Sequence, residues 1–110
     1  MKKRTILIDF DGVLNNYRGN YDEENLPEIM DGAREFLEKI SKEFIIKVFT
    51  TRTNLKVSKW IIENNLEKFI TDVTNIKESS YLIIDDRGMY FNGNYDDLYN
   101  DIQTFKVWYK

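Results

Sequence analysis

Two aspartates two residues apart close the first apolar run of the chain, Thr5-Ile6-Leu7-Ile8-Asp9-Phe10-Asp11-Gly12-Val13. In an extended strand residues i and i+2 point the same way, which sends the Asp9 and Asp11 carboxylates toward one pocket beyond the strand's carboxyl end. Carboxylates that close repel one another and call for a counter-charge. A divalent cation supplies it, and Mg²⁺ takes carboxylates together with phosphate oxygens. Gly12 lets the backbone turn tightly and a ligand approach closely. A second acidic pair, Asp85-Asp86, ends the run Tyr81-Leu82-Ile83-Ile84 and precedes Arg87. Thr50, Thr51 and Arg52 end another apolar run, and Lys77 closes Thr74-Asn75-Ile76-Lys77. These residue types suit phosphoryl transfer. Asp9 with Asp85 or Asp86 would ligate Mg²⁺. The Thr50 hydroxyl and the Lys77 ammonium would hold phosphate oxygens and transition-state charge. One carboxylate attacks phosphorus to give an aspartyl-phosphate. The other protonates the leaving oxygen and then activates water.

Four strands must deliver these groups. The pattern predicts them at Thr5–Asp9, Phe44–Phe49, Phe69–Val73 and Tyr81–Asp85, with a polar loop over residues 12–30. Helical spacing of Ala33, Phe36, Leu37 and Ile40 predicts a helix from Asp31 or Gly32 to about Ser41. A second is expected from Thr53 or Asn54 to Asn64-Asn65, burying Val57, Trp60 and Ile61. A third is expected from about Tyr95, with Leu98, Ile102, Phe105 and Trp108 or Tyr109 on one face, covering the sheet or forming a dimer interface. Strands alternating with helices imply an α/β fold: a three-layer, Rossmann-like parallel sheet flanked by helices, with right-handed crossovers. Ligands of such sheets bind at the carboxyl ends of strands, at a topological switch point. Every predicted strand brings polar groups to that edge.

Composition bounds the reading. At 110 residues one domain is expected, spanning 1–110. A net charge of -3 and a pI near 5.0 argue against a general nucleic-acid binder and leave only a local basic patch for such contacts. There is no cysteine, hence no disulfide framework, thiol catalysis or Cys-bound zinc. There is no histidine, hence no Ser-His-Asp triad and no histidine base. The start, Met1-Lys2-Lys3-Arg4, is basic, but the apolar run behind it ends at Asp9, too short for a signal peptide or a membrane span. A cytoplasmic protein with no membrane partner is expected.

Taken in order and spacing, these motifs resemble the haloacid dehalogenase (HAD) superfamily of phosphohydrolases over nearly the whole chain. Asp9-Phe10-Asp11-Gly12-Val13 is similar to its first motif and Phe49-Thr50 to its second. Lys77 corresponds to the third, and Ile84-Asp85-Asp86 to the Asp-Asp form of the fourth. The resemblance implies that Asp9 is the nucleophile and Asp11 the general acid-base, with its backbone carbonyl on Mg²⁺. It makes Thr50 the phosphoryl-binding hydroxyl and Lys77 the residue that orients the nucleophile and neutralises charge. Asp85 and Asp86 would hold Mg²⁺, directly or through water.

Two subgroups are similar. Short phage and bacterial HAD hydrolases carry segments like Val73-Thr74-Asn75-Ile76-Lys77 and Ile84-Asp85-Asp86-Arg87. The phosphatase domain of polynucleotide kinase-phosphatases has a hydroxyl residue, a spacer and an arginine where Thr50-Thr51-Arg52 stands, and an arginine-bearing loop like the one holding Arg18. Gly12, Thr51, Arg52 and Arg18 are therefore the expected substrate contacts. No insertion is long enough for a cap domain, which implies an open site and a bulky phosphorylated substrate, such as a nucleic-acid end or a phosphoprotein, or a partner subunit that closes the site; a nucleotide or other small phosphate is the alternative substrate. Tyr17 and Tyr21 are placed to stack on a base or to pack on the domain. Two other classes compete. A non-catalytic phosphate-binding or regulatory module on the same fold is expected to lose Asp9 or Lys77, and both are present. A receiver domain phosphorylates an Asp at the end of a later strand, whereas here the Asp-x-Asp-Gly ends the first.

Overall fold

A computed structural model describes residues 2–109. Four strands form one parallel sheet: β1 (Arg4–Asp9), β2 (Phe44–Phe49), β3 (Asp72–Thr74) and β4 (Leu82–Ile84). Three helices accompany them: α1 (Ala33–Ile40), α2 (Asn54–Glu63) and α3 (Tyr95–Thr104). The strand order is β3-β2-β1-β4. The chain therefore steps outward from β1 through β2 to β3, then returns to pair β4 with the free side of β1. The expected α/β fold with a parallel sheet is what forms.

Ile and Val at alternate positions explain the central ladder. In register, Ile6 pairs with Ile46 and Leu82, and Ile8 with Val48 and Ile84. Ile6, Ile8, Ile46 and Val48 face α1 and α2 and form the core with Ala33, Leu37, Val57, Trp60 and Ile61. Both helices lie on this one face because both crossovers move outward in the same sense. Phe10, fully buried, meets Trp60 edge to face at 4.8 Å. That contact fixes the residue between the two aspartates. The long loop after β1 is tied down by backbone bonds from Asn16 N to Glu28 O and from Met30 N to Leu14 O. Residues 10–32 therefore form a pinned loop rather than a cap domain.

Three elements differ from the pattern reading. The third strand begins at Asp72 instead of Phe69. Asn65 takes a left-handed φ of 58°, and Phe69 N bonds to Leu66 O, so residues 65–69 form a turn that drives Leu66 and Phe69 into the core. The hydrophobicity there served a turn, not a ladder. The fourth strand is shorter by a residue at each end, although Tyr81 N still reaches Thr5 O at 2.8 Å. The last helix stops at Thr104, because Phe105 is extended (φ -61°, ψ 137°), and it buries none of its residues, so it does not supply the expected cover of the second sheet face. Trp108 and Tyr109 lie beyond it and return to the carboxyl edge of β1. Among the described residues no helix is long and apolar enough to cross a membrane.

Candidate active site

β1 and β4 are neighbours in the sheet but distant in connection, so the crevice between their carboxyl ends is the switch point. Asp9 ends β1, and Asp85 and Asp86 follow β4. One carboxylate oxygen from each of the three lies within 4.8 Å of the others. They line a cavity of about 270 Å³ together with Asp11, Thr50, Thr51, Tyr17, Tyr21 and Arg87. Burial, then the Asp85 and Asp86 carboxylates, pushes the Asp9 carboxyl from 3.8 up to about 8. Asp86 is raised as well, first by burial and then by Asp85. Among the described residues none of the three makes an ion pair within 4.0 Å. An octahedral ion with ligands at about 2.1 Å needs oxygens roughly 3–4 Å apart. The three oxygens, all within 4.8 Å of one another, would have to draw together by up to about 1 Å, and with that shift the all-carboxylate donor set fits Mg²⁺.

Asp11 sits just past the strand, in the turn, and lines the same cavity from its far side. Its Oδ1 accepts from Asn15 Nδ2 at 3.1 Å and its Oδ2 from Arg52 Nε at 2.9 Å. Its side chain stands outside the three-acid cluster. Asn15 is fully buried, and its Oδ1 accepts from Gly12 N (3.2 Å) and Tyr17 N (3.0 Å). One amide thus shapes the whole turn after β1. Gly12 has φ 84°, and a Cβ built there would stand 2.3 Å from Asp86 Oδ2. Only glycine permits both the turn and the approach of Asp86.

The second strand's end is equally fixed. Thr50 is buried, its Oγ1 accepts from Arg52 N at 3.0 Å, and its own N donates to Thr74 O. Asn75 Nδ2 donates to Thr50 O (2.7 Å) and Arg52 O (2.9 Å) and clasps the loop. Arg52 was expected to touch substrate. Its side chain is instead 1% exposed, and Nη1 donates to Asp22 O while the guanidinium lies 4.4 Å over the Tyr21 ring. It orients Asp11 and holds the 17–22 loop. Its Nη2 is buried without a partner among the described residues.

The structure separates two expected cations from the cavity. Lys77 lines an adjoining groove that shares Asp85, and it has no ion pair within 4.0 Å among the described residues. Arg18 stacks outward, 4.6 Å over the Trp108 ring, and donates to Tyr17 O. The cation on the cavity wall is Arg87. Trp108 Nε1 donates to Gly12 O at 3.1 Å, and the Tyr17 and Tyr109 rings meet edge to face at 6.2 Å. Asn15, Asn75 and Trp108 were missed as site residues. An Asn four residues after Asp11 and just past a glycine is a turn-forming signal that marks Asn15. Nothing local marks Trp108, whose contact spans 96 residues.

No known protein-family profile and no curated protein sequence matches this chain. A solved structure of a conserved protein from Bacteroides thetaiotaomicron has a similar fold, with a TM-score of 0.60 at 19% identity. The match covers 96% of this chain and 94% of that one.

Proposed function

We propose that this chain is a Mg²⁺-dependent phosphomonoesterase of the HAD type, acting through an aspartyl-phosphate on Asp9. The observation that carries the reading is the meeting of Asp9, Asp85 and Asp86 at the switch point, with Asp11 held across the same cavity. Asp9, Asp85 and Asp86 would hold the cation, which when bound offsets phosphate charge. Asp9 then attacks phosphorus, and the ester P–O bond breaks as Asp11 protonates the departing oxygen. A water deprotonated by Asp11 cleaves the acyl phosphate, releasing inorganic phosphate and freeing Asp9. Arg52 and Asn15 aim Asp11, and Thr50 and Arg87, which line the cavity, are the donors offered to the transferred group. Lys77 enters this scheme only if the groove and the cavity, joined at Asp85, close together around substrate.

The open cavity with Tyr17 and Tyr21 on its wall suits a phosphate carried on a larger body with an aromatic base, a polynucleotide 3′-end or a nucleotide. A cytoplasmic location belongs to the same reading. The test is phosphate release from p-nitrophenyl phosphate with and without Mg²⁺. Mg²⁺-dependent release is expected, with a loss of at least a thousandfold, on the order of removing a catalytic group, in Asp9→Asn. Wild-type turnover in that variant overturns the mechanism. No release from folded wild type under any divalent cation or substrate favours the non-catalytic phosphate-binding module. Comparing a 3′-phosphorylated oligonucleotide with mononucleotides then separates the two substrate classes.

A further inference from the structure

A ten-residue helix with nothing packed on it is marginal in water. α3 comes close to that, ten residues long with none buried and only the Phe91 ring, 5.1 Å from Tyr95, set against its first turn. Tyr95, Leu98, Tyr99, Ile102 and Phe105 recur at helical spacing and make one apolar stripe. Tyr95, Tyr99 and Ile102 are 77%, 64% and 57% exposed. The helix's charges, Asp96, Asp97 and Asp101, are all acidic.

The sheet has the converse feature. α1 and α2 cover one face, and the connection from β3 to β4 carries no helix over the other. There Leu7, Phe49 and Ile83 share a groove of about 660 Å³ with Tyr81, Tyr90 and Lys77. Lys77 has no ion-pair partner among the described residues. Asp85 is the acid of this lining and belongs to the cavity next door.

We propose that two copies of this chain associate about a two-fold axis, α3 of each lying in the sheet groove of the other. Ten helical residues span about 15 Å, enough to cross the roughly 10 Å of the three strands, β2, β1 and β4, whose Phe49, Leu7 and Ile83 line the groove. The charges agree too, since Asp101 borders the stripe and Lys77 borders the groove. A single helix contact is small beside the roughly 800 Å² per partner of a stable complex, but two-fold symmetry makes two of them. A second copy is favoured over docking within one chain because α3's end is anchored. Val107 is buried and Trp108 is bonded to Gly12 O while the stripe stays outward. A second copy meets it with no rearrangement.

The chain has no cysteine, so Ile102→Cys and Tyr90→Cys each carry a single thiol. Mixed and oxidised, the two variants are expected to crosslink at twice the 13.2 kDa chain mass, several-fold above either variant alone. Light scattering is expected to find wild type at that dimer mass. Ile102→Glu is expected at the single-chain mass with an unchanged circular-dichroism spectrum. Wild type that stays at 13.2 kDa at every concentration overturns the proposal. So does a double variant whose disulfide closes within one chain at monomer mass, because that places α3 on its own sheet.

Discussion

Asp9 is held among acids with no ion-pair partner among the described residues, and its carboxyl is pushed up from 3.8 to about 8, by burial first and by Asp85 and Asp86 next. A folded-state value above the unfolded one means the folded protein binds the extra proton. The stability tied to that proton is full below about pH 3.8 and is lost as pH rises through about 8. Metal-free protein is therefore expected to melt at falling temperature across this window, and Asp9→Asn to melt with a flatter profile. Mg²⁺ is expected to raise the melting temperature more at the alkaline end, where the acids are ionised and must be neutralised. Thermal unfolding at several pH values, with Mg²⁺ and with a chelator, checks both. Equal slopes in wild type and variant would remove Asp9 as the cause. Gly12 carries the other prediction at this scale. At φ 84° an alanine is strained, and its Cβ would meet Asp86 Oδ2 at 2.3 Å. Gly12→Ala is expected to cost about 1–3 kcal/mol and, by displacing Asp86, to abolish the Mg²⁺-induced shift in melting temperature. A variant with wild-type Mg²⁺ response would show that Asp86 lies outside the cation site.

The elements position the site through loops rather than through regular structure. β1 and β2 deliver Asp9 and Thr50 by ladder register, which the alternation of Ile, Leu and Val already marks in the sequence. The 50–52 turn has no ladder. It hangs on Asn75, whose amide nitrogen donates to Thr50 O and Arg52 O. Asn75→Ala is expected to cost about 1–2 kcal/mol for the two lost bonds. Its effect on turnover is expected to be larger, about tenfold or more, because a displaced turn misplaces Thr50 and, through Arg52, Asp11. Denaturant unfolding and phosphate release, measured on one preparation, separate the two effects. A loss of stability without a loss of rate would make Asn75 merely structural. The α1 and α2 boundaries were legible from spacing, caps and a polar breaker. β3 was not, because the apolar Phe69 and Ile70 read equally well as a strand start or as a turn packed on the core. The end of α3 was not, because Trp108 and Tyr109 continue the helical period while their rings serve the site.

At the scale of the whole molecule, the sequence announces what β1 and β4 carry, since Asp-x-Asp-Gly and Asp-Asp end clear apolar runs. That they converge follows from the return of the chain to the free side of β1, a strand order that the alternation of strands and helices does not fix. The departures are long-range. Lys77 falls on the adjoining groove because the helix-free 75–81 connection sets its direction, and Arg52 turns inward because Asp11 and Asp22 O claim its donors. The closing of the two ends of the chain on each other is likewise invisible locally. Trp108 reaches across to Gly12 O, Arg18 stacks on Trp108, and Tyr17 meets Tyr109. The tail therefore braces the turn that positions both Asp11 and the approach of Asp86. Trp108→Phe keeps one aromatic ring for Arg18 and removes the N–H together with part of the indole. It is expected to cost about 1 kcal/mol, a shift of a few degrees in melting temperature for a chain of this size. Trp108→Ala removes the ring as well. It is expected to lower phosphate release at saturating substrate and to weaken the Mg²⁺-induced melting shift, with α1 and α2 untouched. Equal Mg²⁺ responses in wild type and Trp108→Ala would mean that the tail covers the site without bracing it.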